Sequence, residues 1–331
     1  MDKTTDIRRD APLLRVKDLR IHFEMEKEVV EAVNGMSFEL LRGETLGFVG
    51  ETGAGKTTTA LGIMRLVQTP PGRIVTGSIE LDGEDLLSKS EAEMRKIRGN
   101  KISMIFQDPM TSLNPVLPVG DQIQEVIRLH NDITDTEAAR RTIDMLEMVG
   151  IPGERYNEYP HQFSGGMKQR VVIAIALACS PELLIADEPT TALDVTIQAQ
   201  VLDMMRELKK KIGTSMLMIT HDLGVIAETC DKVAIVYAGQ IVESGTVLQI
   251  FDNPRHPYTR GLFDSLPSLD KEVRRLKPIE GLVPNPADLP PYCSFYDRCA
   301  CRAEACRAGE PEAAEVEPGH WVMCRCGKGG E

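Results

Sequence analysis

Aromatic residues are scarce in this chain. They make up 5% of its 331 residues, and Trp321 is the one tryptophan, so a core has to be built mainly from aliphatic side chains. Long apolar runs are missing too. The longest, Val171 to Cys179, has nine residues, whereas a membrane-spanning helix needs roughly 20, so no part of the chain is read as crossing a bilayer. Basic residues are outnumbered, 38 Lys and Arg against 50 Asp and Glu, for a formal charge of −12. A nucleic-acid binder usually presents a basic face, and that class is disfavoured. The first ten residues, MDKTTDIRRD, carry no apolar stretch behind their charges and do not read as a secretory signal. A cytoplasmic location is expected, where disulfides are rare.

Against that background the cysteines stand out. There are eight, and six of them (Cys293, Cys299, Cys301, Cys306, Cys324 and Cys326) crowd into the last 39 residues. In a reducing compartment such crowding points to a metal site or cluster more than to a disulfide framework.

The chain divides near residue 250. Before it, the apolar runs LGFV (46–49), KISMIF (101–106), LLIAD (183–187), SMLMIT (215–220) and KVAIVY (232–237) alternate with helical stretches such as Thr57–Val67 and Thr196–Lys211. This alternation predicts an α/β fold with a largely parallel core sheet. LLRVKDLRIHF, VVEAVNGMSFEL and TGSIELDGEDL predict an antiparallel layer beside it, and residues 107–180 a helical subdomain. From residue 251 to 331 prolines recur, among them Pro254, Pro257, Pro267 and Pro278, and long helices are not expected there.

Gly50-Glu51-Thr52-Gly53-Ala54-Gly55-Lys56-Thr57 fits G-x-x-x-x-G-K-[ST], after a strand and before a helix that continues through Thr58. Glycines let backbone N–H groups turn inward around phosphate oxygens, and the helix N-terminus faces the same anion. Lys56 would reach the β- and γ-phosphates, and Thr57 would bind Mg²⁺. LLIAD ends in Asp187, a candidate Mg²⁺ ligand at the carboxyl end of a buried strand. Glu188, next to it, is a candidate for polarising the attacking water.

Ser164-Gly165-Gly166-Met167-Lys168-Gln169-Arg170 opens a helix with Ser164 as a good N-cap. It closely resembles the signature sequence of ATP-binding-cassette (ABC) ATPases, and it precedes Asp187 by 187 − 164 = 23 residues, as in that family. Other elements follow in the family's order. Gln107 resembles the Q-loop glutamine that senses Mg²⁺ and the transmembrane partner. Ala192-Leu193-Asp194 resembles the D-loop at the dimer interface. His221, at the end of SMLMIT, resembles the switch histidine on the γ-phosphate. Phe23, placed in the loop after the first strand, resembles the aromatic that stacks on adenine, with a core position as the other reading. The match covers roughly residues 13–250; Phe163 and Met167 depart from the commonest residues beside the signature. The resemblance implies a P-loop ABC nucleotide-binding domain, binding of ATP and Mg²⁺, and ATP hydrolysis. A P-loop kinase or GTPase needs neither the Ser164 nor the His221 motif.

The resemblance also narrows the partners. Asn253-Pro254-Arg255-His256-Pro257-Tyr258-Thr259-Arg260-Gly261-Leu262 and Gln107-Asp108-Pro109-Met110-Thr111-Ser112-Leu113-Asn114-Pro115 resemble ATPases of oligopeptide and dipeptide importers, a group that includes nickel and other-solute importers. This implies a second ATPase subunit, usually a paralogue, beneath two permease subunits at the cytoplasmic face of the membrane, with an extracytoplasmic peptide-binding protein and no nucleic acid. The alternative is a soluble ABC ATPase of DNA repair or translation, but that class generally carries two cassettes or a long coiled coil. Cys293, Cys299, Cys306 and Cys324 form C-x5-C-x6-C-x17-C, which resembles the importer tail that holds a [4Fe–4S] cluster. Zinc and plain reduced thiols are the other readings. A stapling role is expected, with Trp321 and Phe295 supplying a small core.

Overall fold

The computed structural model describes residues 11–191, 193–265 and 278–326, without the side chains of residues 109 and 110. Ala192 and Pro267 therefore lie outside the described residues. In chain order the elements are β1 (Pro12–Glu24), β2 (Val29–Leu41), β3 (Thr45–Val49), α1 (Lys56–Ile63), β4 (Gly72–Leu81), β5 (Glu84–Asp85), α2 (Glu91–Ile97), β6 (Ile102–Ile105), α3 (Pro109–Ser112), α4 (Val119–His130) and α5 (Asp135–Met148). They continue with α6 (Gly165–Leu177), β7 (Leu183–Asp187), α7 (Val195–Ile212), β8 (Ser215–Ile219), α8 (Leu223–Thr229), β9 (Lys232–Tyr237), β10 (Gln240–Thr246), α9 (Val247–Asp252), α10 (Pro257–Asp264), β11 (Ala314–Glu317) and β12 (His320–Val322).

Two compact units emerge. Of the described residues, one gathers those up to Leu14, Glu39–Thr45 and those within 80–220; the other gathers Arg15–Phe38, Leu46–Ile79 and those from His221 onward.

In the first unit, β6, β7 and β8 pair in parallel, with Ile102 opposite Leu183 and Leu183 opposite Ser215. All five residues of β7 and of β8 are buried, which is why their sequences are unbroken apolar runs rather than alternations. Between β6 and β7 every regular element is helical. Helix starts follow side-chain caps: Thr134 accepts from Glu137 N–H, Ser164 from Met167 N–H and Asp194 from Ile197 N–H. Gly213, at φ 81°, ends α7 in the left-handed region.

In the second unit, β3 runs parallel to β9, Leu46 opposite Lys232, and β9, β10, β12 and β11 follow in antiparallel order. β2, β1 and β4 form the separate layer that the amino-terminal alternation predicted. Helix α1 is shorter than the expected Thr57–Val67. Arg65, at φ 51°, turns left-handed, and Leu66 N–H reaches back to the Leu61 carbonyl, a Schellman-like stop that no glycine announces.

The tail contributes the β11–β12 hairpin, which the proline-rich texture did not suggest. Trp321 is not part of a core there. It is 45% exposed, because alternation along β12 turns His320 and Val322 inward instead. Phe295 is buried as expected. A polar node ties the hairpin down. The buried Glu243 carboxylate on β10 accepts from Arg255 N–H (2.7 Å), His256 N–H (2.9 Å) and His320 Nε2 (2.8 Å).

Candidate functional site

The glycine-rich loop lies entirely within the second unit. It leaves the buried β3 and enters α1. Its glycines answer local steric demands. A Cβ on Gly50 would sit 2.0 Å from the Val236 carbonyl oxygen, and one on Gly55 would sit 2.4 Å from the Ala32 carbonyl oxygen. Gly53 and Gly55 have φ values of 82° and 95°, a region costly for any residue with a β-carbon. Lys56 is buried, and its Nζ donates to the Gly50 and Glu51 carbonyls at 2.7 and 3.0 Å. Ala54 is buried, Glu51 and Thr58 are half-buried, and Thr52 and Thr57 are exposed. The Thr59 hydroxyl, buried in the first turn of α1, donates to Gly55 O at 2.9 Å. A loop with left-handed glycines leads into a helix N-terminus, with the Lys56 ammonium seated on the loop's carbonyls beside it, an arrangement suited to a polyphosphate.

Phe23 lies within β1, not in the loop after it. The strand runs on to Glu24, whose N–H finds the Pro71 carbonyl at 2.9 Å. Its ring is half-buried, close enough to Gly72 that a β-carbon there would stand 2.8 Å from it.

The first unit gathers a second set of residues. Asp187 is the last residue of β7 and is 2% exposed. Glu188 follows at φ 47°. A non-glycine residue held there costs about 1–3 kcal/mol, the kind of strain that clusters at working sites. Its N–H is fixed on the Ile219 carbonyl at 2.8 Å. Gln107, two residues beyond β6, donates its Nε2 to Glu188 Oε2 at 3.0 Å, and Thr191 Oγ1 donates to the same oxygen at 2.9 Å. Gln169, buried on α6, donates Nε2 to the Pro189 carbonyl at 2.5 Å. Neither Thr191 nor Gln169 was singled out by sequence. Thr191, three residues from a candidate base and carrying a hydroxyl, was the findable one.

Ser164 is exposed at the α6 start, its Oγ accepting from Met167 N–H at 3.4 Å. Gly165 is exposed beside it, and a Cβ on Gly166 would come within 2.5 Å of the Ile197 side chain. Asp194 spends one carboxylate oxygen on its own N-cap bond to Ile197 N–H, 3.0 Å. His221 is exposed two residues past β8, which ends at Ile219 rather than at the residue before the histidine.

Cys293, Cys299, Cys306 and Cys324 line one small cavity, together with His256, Phe295 and a fifth thiol, Cys326. Cys306 Sγ lies 3.9 Å from Cys326 Sγ. Cys324 and Cys326, two positions apart, both reach this cavity; Cys301 is exposed and does not line it. Burial pushes the Cys299 and Cys326 thiols up to about 11 and raises Cys293 as well, while burial lowers His256 to about 3. The donor chemistry suits a thiolate-bound centre. Among the described residues, however, no three His, Cys, Asp or Glu side chains are gathered closely enough to hold a metal ion.

Comparison with known proteins gives these arrangements a context. A family model described as ABC transporter matches residues 33–191, and one described as oligopeptide/dipeptide transporter, C-terminal region, matches residues 242–306. The oligopeptide transport ATP-binding protein AppD of Bacillus subtilis (strain 168) is 51% identical across 95% of this chain and 96% of its own. The chain belongs to the ABC transporter family. A second ABC relative, the probable peptide ABC transporter ATP-binding protein y4tR of Sinorhizobium fredii, is 50% identical over 94% of each chain. Among solved ABC structures, the dimeric cassette MJ0796 in a post-hydrolysis state with ADP and Pi superposes with a TM-score of 0.64. It is 25% identical, covering 71% of this chain and 98% of that one. This matches the ABC ATPase fold expected for the α/β part. Among the described residues no helix is long and apolar enough to cross a membrane.

Proposed function

We propose that this ABC ATPase is the energy-coupling subunit of an importer for oligopeptides or dipeptides, with nickel or another solute as the alternative cargo. The peptide assignment is supported by what AppD and y4tR are called and by the match of residues 242–306. The observation that carries nucleotide use is the glycine-turned loop with Lys56 Nζ seated on its carbonyls. In this reading residues 1–250 are the nucleotide-binding domain, with the helical subdomain at about 107–180, and 251–331 the importer-specific tail. Two cassettes, this chain and a paralogue, close on ATP beneath two permeases at the cytoplasmic face of the membrane, supplied by an extracytoplasmic binding protein.

The residues divide the work. Gly50 to Gly55 present backbone N–H groups to the phosphates, Lys56 neutralises their charge, and Thr58 lies on the same turn. Thr57, Gln107 and Asp187 would hold Mg²⁺, which supplies charge neutralisation on the phosphates. Glu188 orients water against the γ-phosphorus, Gln107 relays closure to the permease, and His221 holds the phosphate. Ser164, Gly165, Gly166 and Asp194 face the partner's nucleotide, and Phe23 stacks on adenine.

Cys293, Cys299, Cys306 and Cys324 would hold a [4Fe–4S] cluster, or zinc, that staples the tail; what supports this reading is their thiol chemistry and their place around one cavity, not a ready-made set of ligands.

Glu188→Gln tests the catalytic assignment. It is expected to keep ATP binding, accumulate as a closed dimer and lose about a hundredfold or more in turnover, the range for removing a general base. Turnover within threefold of wild type would refute the role.

A further inference from the structure

The carboxyl-terminal segment grips the glycine-rich loop at two points, both on Glu51. Arg298 stands in the short 3₁₀ turn Tyr296–Arg298, directly before Cys299. Its guanidinium spans the whole Glu51 carboxylate, Nη1 to Oε2 at 2.6 Å and Nη2 to Oε1 at 2.9 Å. The Arg298 side chain is 5% exposed and that of Glu51 30%, so this is a shielded, two-pronged pair, unlike a solvated surface bridge. The second grip is on the backbone: Glu51 N–H donates to the buried Tyr258 hydroxyl at 2.9 Å.

Arg298 is itself held firmly. It donates to the Glu280 and Ile279 carbonyls at 3.2 and 3.3 Å. Its guanidinium lies 5.8 Å from the Tyr237 ring and 6.0 Å from the Phe295 ring. Tyr237, Tyr258 and Phe295 pack on one another with centroids 4.6–5.4 Å apart, and Phe295 and Cys299 line the cysteine cavity. A continuous set of contacts thus joins the cysteine loop to Glu51, whose carbonyl also receives Lys56 Nζ. The pair does electrostatic work too. Without Arg298, a bare carboxylate would stand next to the phosphates and repel them.

We propose that Arg298 is a positioning residue for nucleotide: by clamping Glu51 it fixes the glycine-rich loop and cancels its charge, so that nucleotide affinity depends on the folded cysteine loop. Linkage makes the effect mutual, and nucleotide orders the cysteine loop in return. The proposal rests on reading residues 50–57 as the phosphate site.

The test is a double-mutant cycle on the full chain, reading the affinity for a non-hydrolysable Mg·ATP analogue. Arg298→Gln is expected to weaken binding about tenfold or more, as losing a charge-assisted pair beside an anion would. Glu51→Gln removes the repelling charge, so the double variant is expected to bind within about threefold of Glu51→Gln alone. A purely structural Arg298 would not be rescued this way. Affinity of Arg298→Gln within twofold of wild type, or a double variant showing the product of the single effects, overturns the proposal. Should Arg298→Gln not fold, hydrogen exchange decides. Nucleotide should slow exchange across residues 293–306 in wild type and not in Glu51→Gln; equal slowing in both overturns the clamp. Lys56→Ala separates the two layers. If it binds as wild type, the phosphate-site reading fails; if it loses nucleotide while Arg298→Gln does not, only the clamp fails.

Discussion

Replacing Glu243 by glutamine is a sharp test of what holds Arg255, His256 and the β11–β12 hairpin to β10. The wild-type carboxylate is fully buried on its side chain and meets three donors: two backbone N–H groups and His320 Nε2. Glutamine keeps the shape but offers one acceptor oxygen. With that oxygen serving Arg255 N–H and His320, the amide NH₂ points at His256 N–H, donor against donor. One unpaired buried donor costs about 1–3 kcal/mol, and two bonds that lose their charge cost about 1 kcal/mol each. Easier burial of a neutral amide offsets part of this, leaving about 2–3 kcal/mol. The loss is local, so amide hydrogen exchange is the assay. Exchange across Arg255–Tyr258 is expected to rise roughly 30- to 150-fold. A rise below about threefold would mean the carboxylate does not organise this node.

Two further outcomes are expected. Gly50→Ala drives a β-carbon to 2.0 Å from the Val236 carbonyl oxygen, so the purified variant should bind no ATP analogue. Gly53→Ala meets nothing within 4 Å and suffers only its φ of 82°, so it should retain binding with a loss of about 1 kcal/mol in stability; equal behaviour of the two would refute the steric account. Anaerobically purified wild type should be brown with about four irons per chain, lost in Cys306→Ser; a colourless protein with one zinc would make the tail a zinc staple.

Where the sequence spoke through local chemistry, it was readable. β7 and β9 fall where the apolar runs LLIAD and KVAIVY begin and end, and Ser164 caps its helix as its position suggests. The glycine-rich loop was legible because its pattern is contiguous and each glycine answers either a close backbone approach or a left-handed φ. What escaped were pairings between distant residues. Arg298 and Glu51 are separated by 247 positions, and nothing near either names the other. The β11–β12 hairpin has strands of four and three residues, too short for alternation to register. The role of Cys326 depends on where a turn aims its side chain, which spacing alone did not convey. Phe23 lies in β1 and not in a loop because the strand ends only at Glu24, whose N–H bonds to the Pro71 carbonyl, a pairing with a distant residue.

The separation of Glu51 from Arg298 also has a consequence for biosynthesis. Ribosomes add about 5–20 residues per second, so after Glu51 is made its partner, 247 positions on, takes about 12–50 seconds to follow. The parallel neighbour of β3 is β9, also late in the chain. Until β9 is made, β3 has no strand on that side, and an apolar strand with an open edge invites wrong pairing. Arg298 follows β9 by about 60 residues, so the glycine-rich loop stays unclamped after the edge of β3 has been covered.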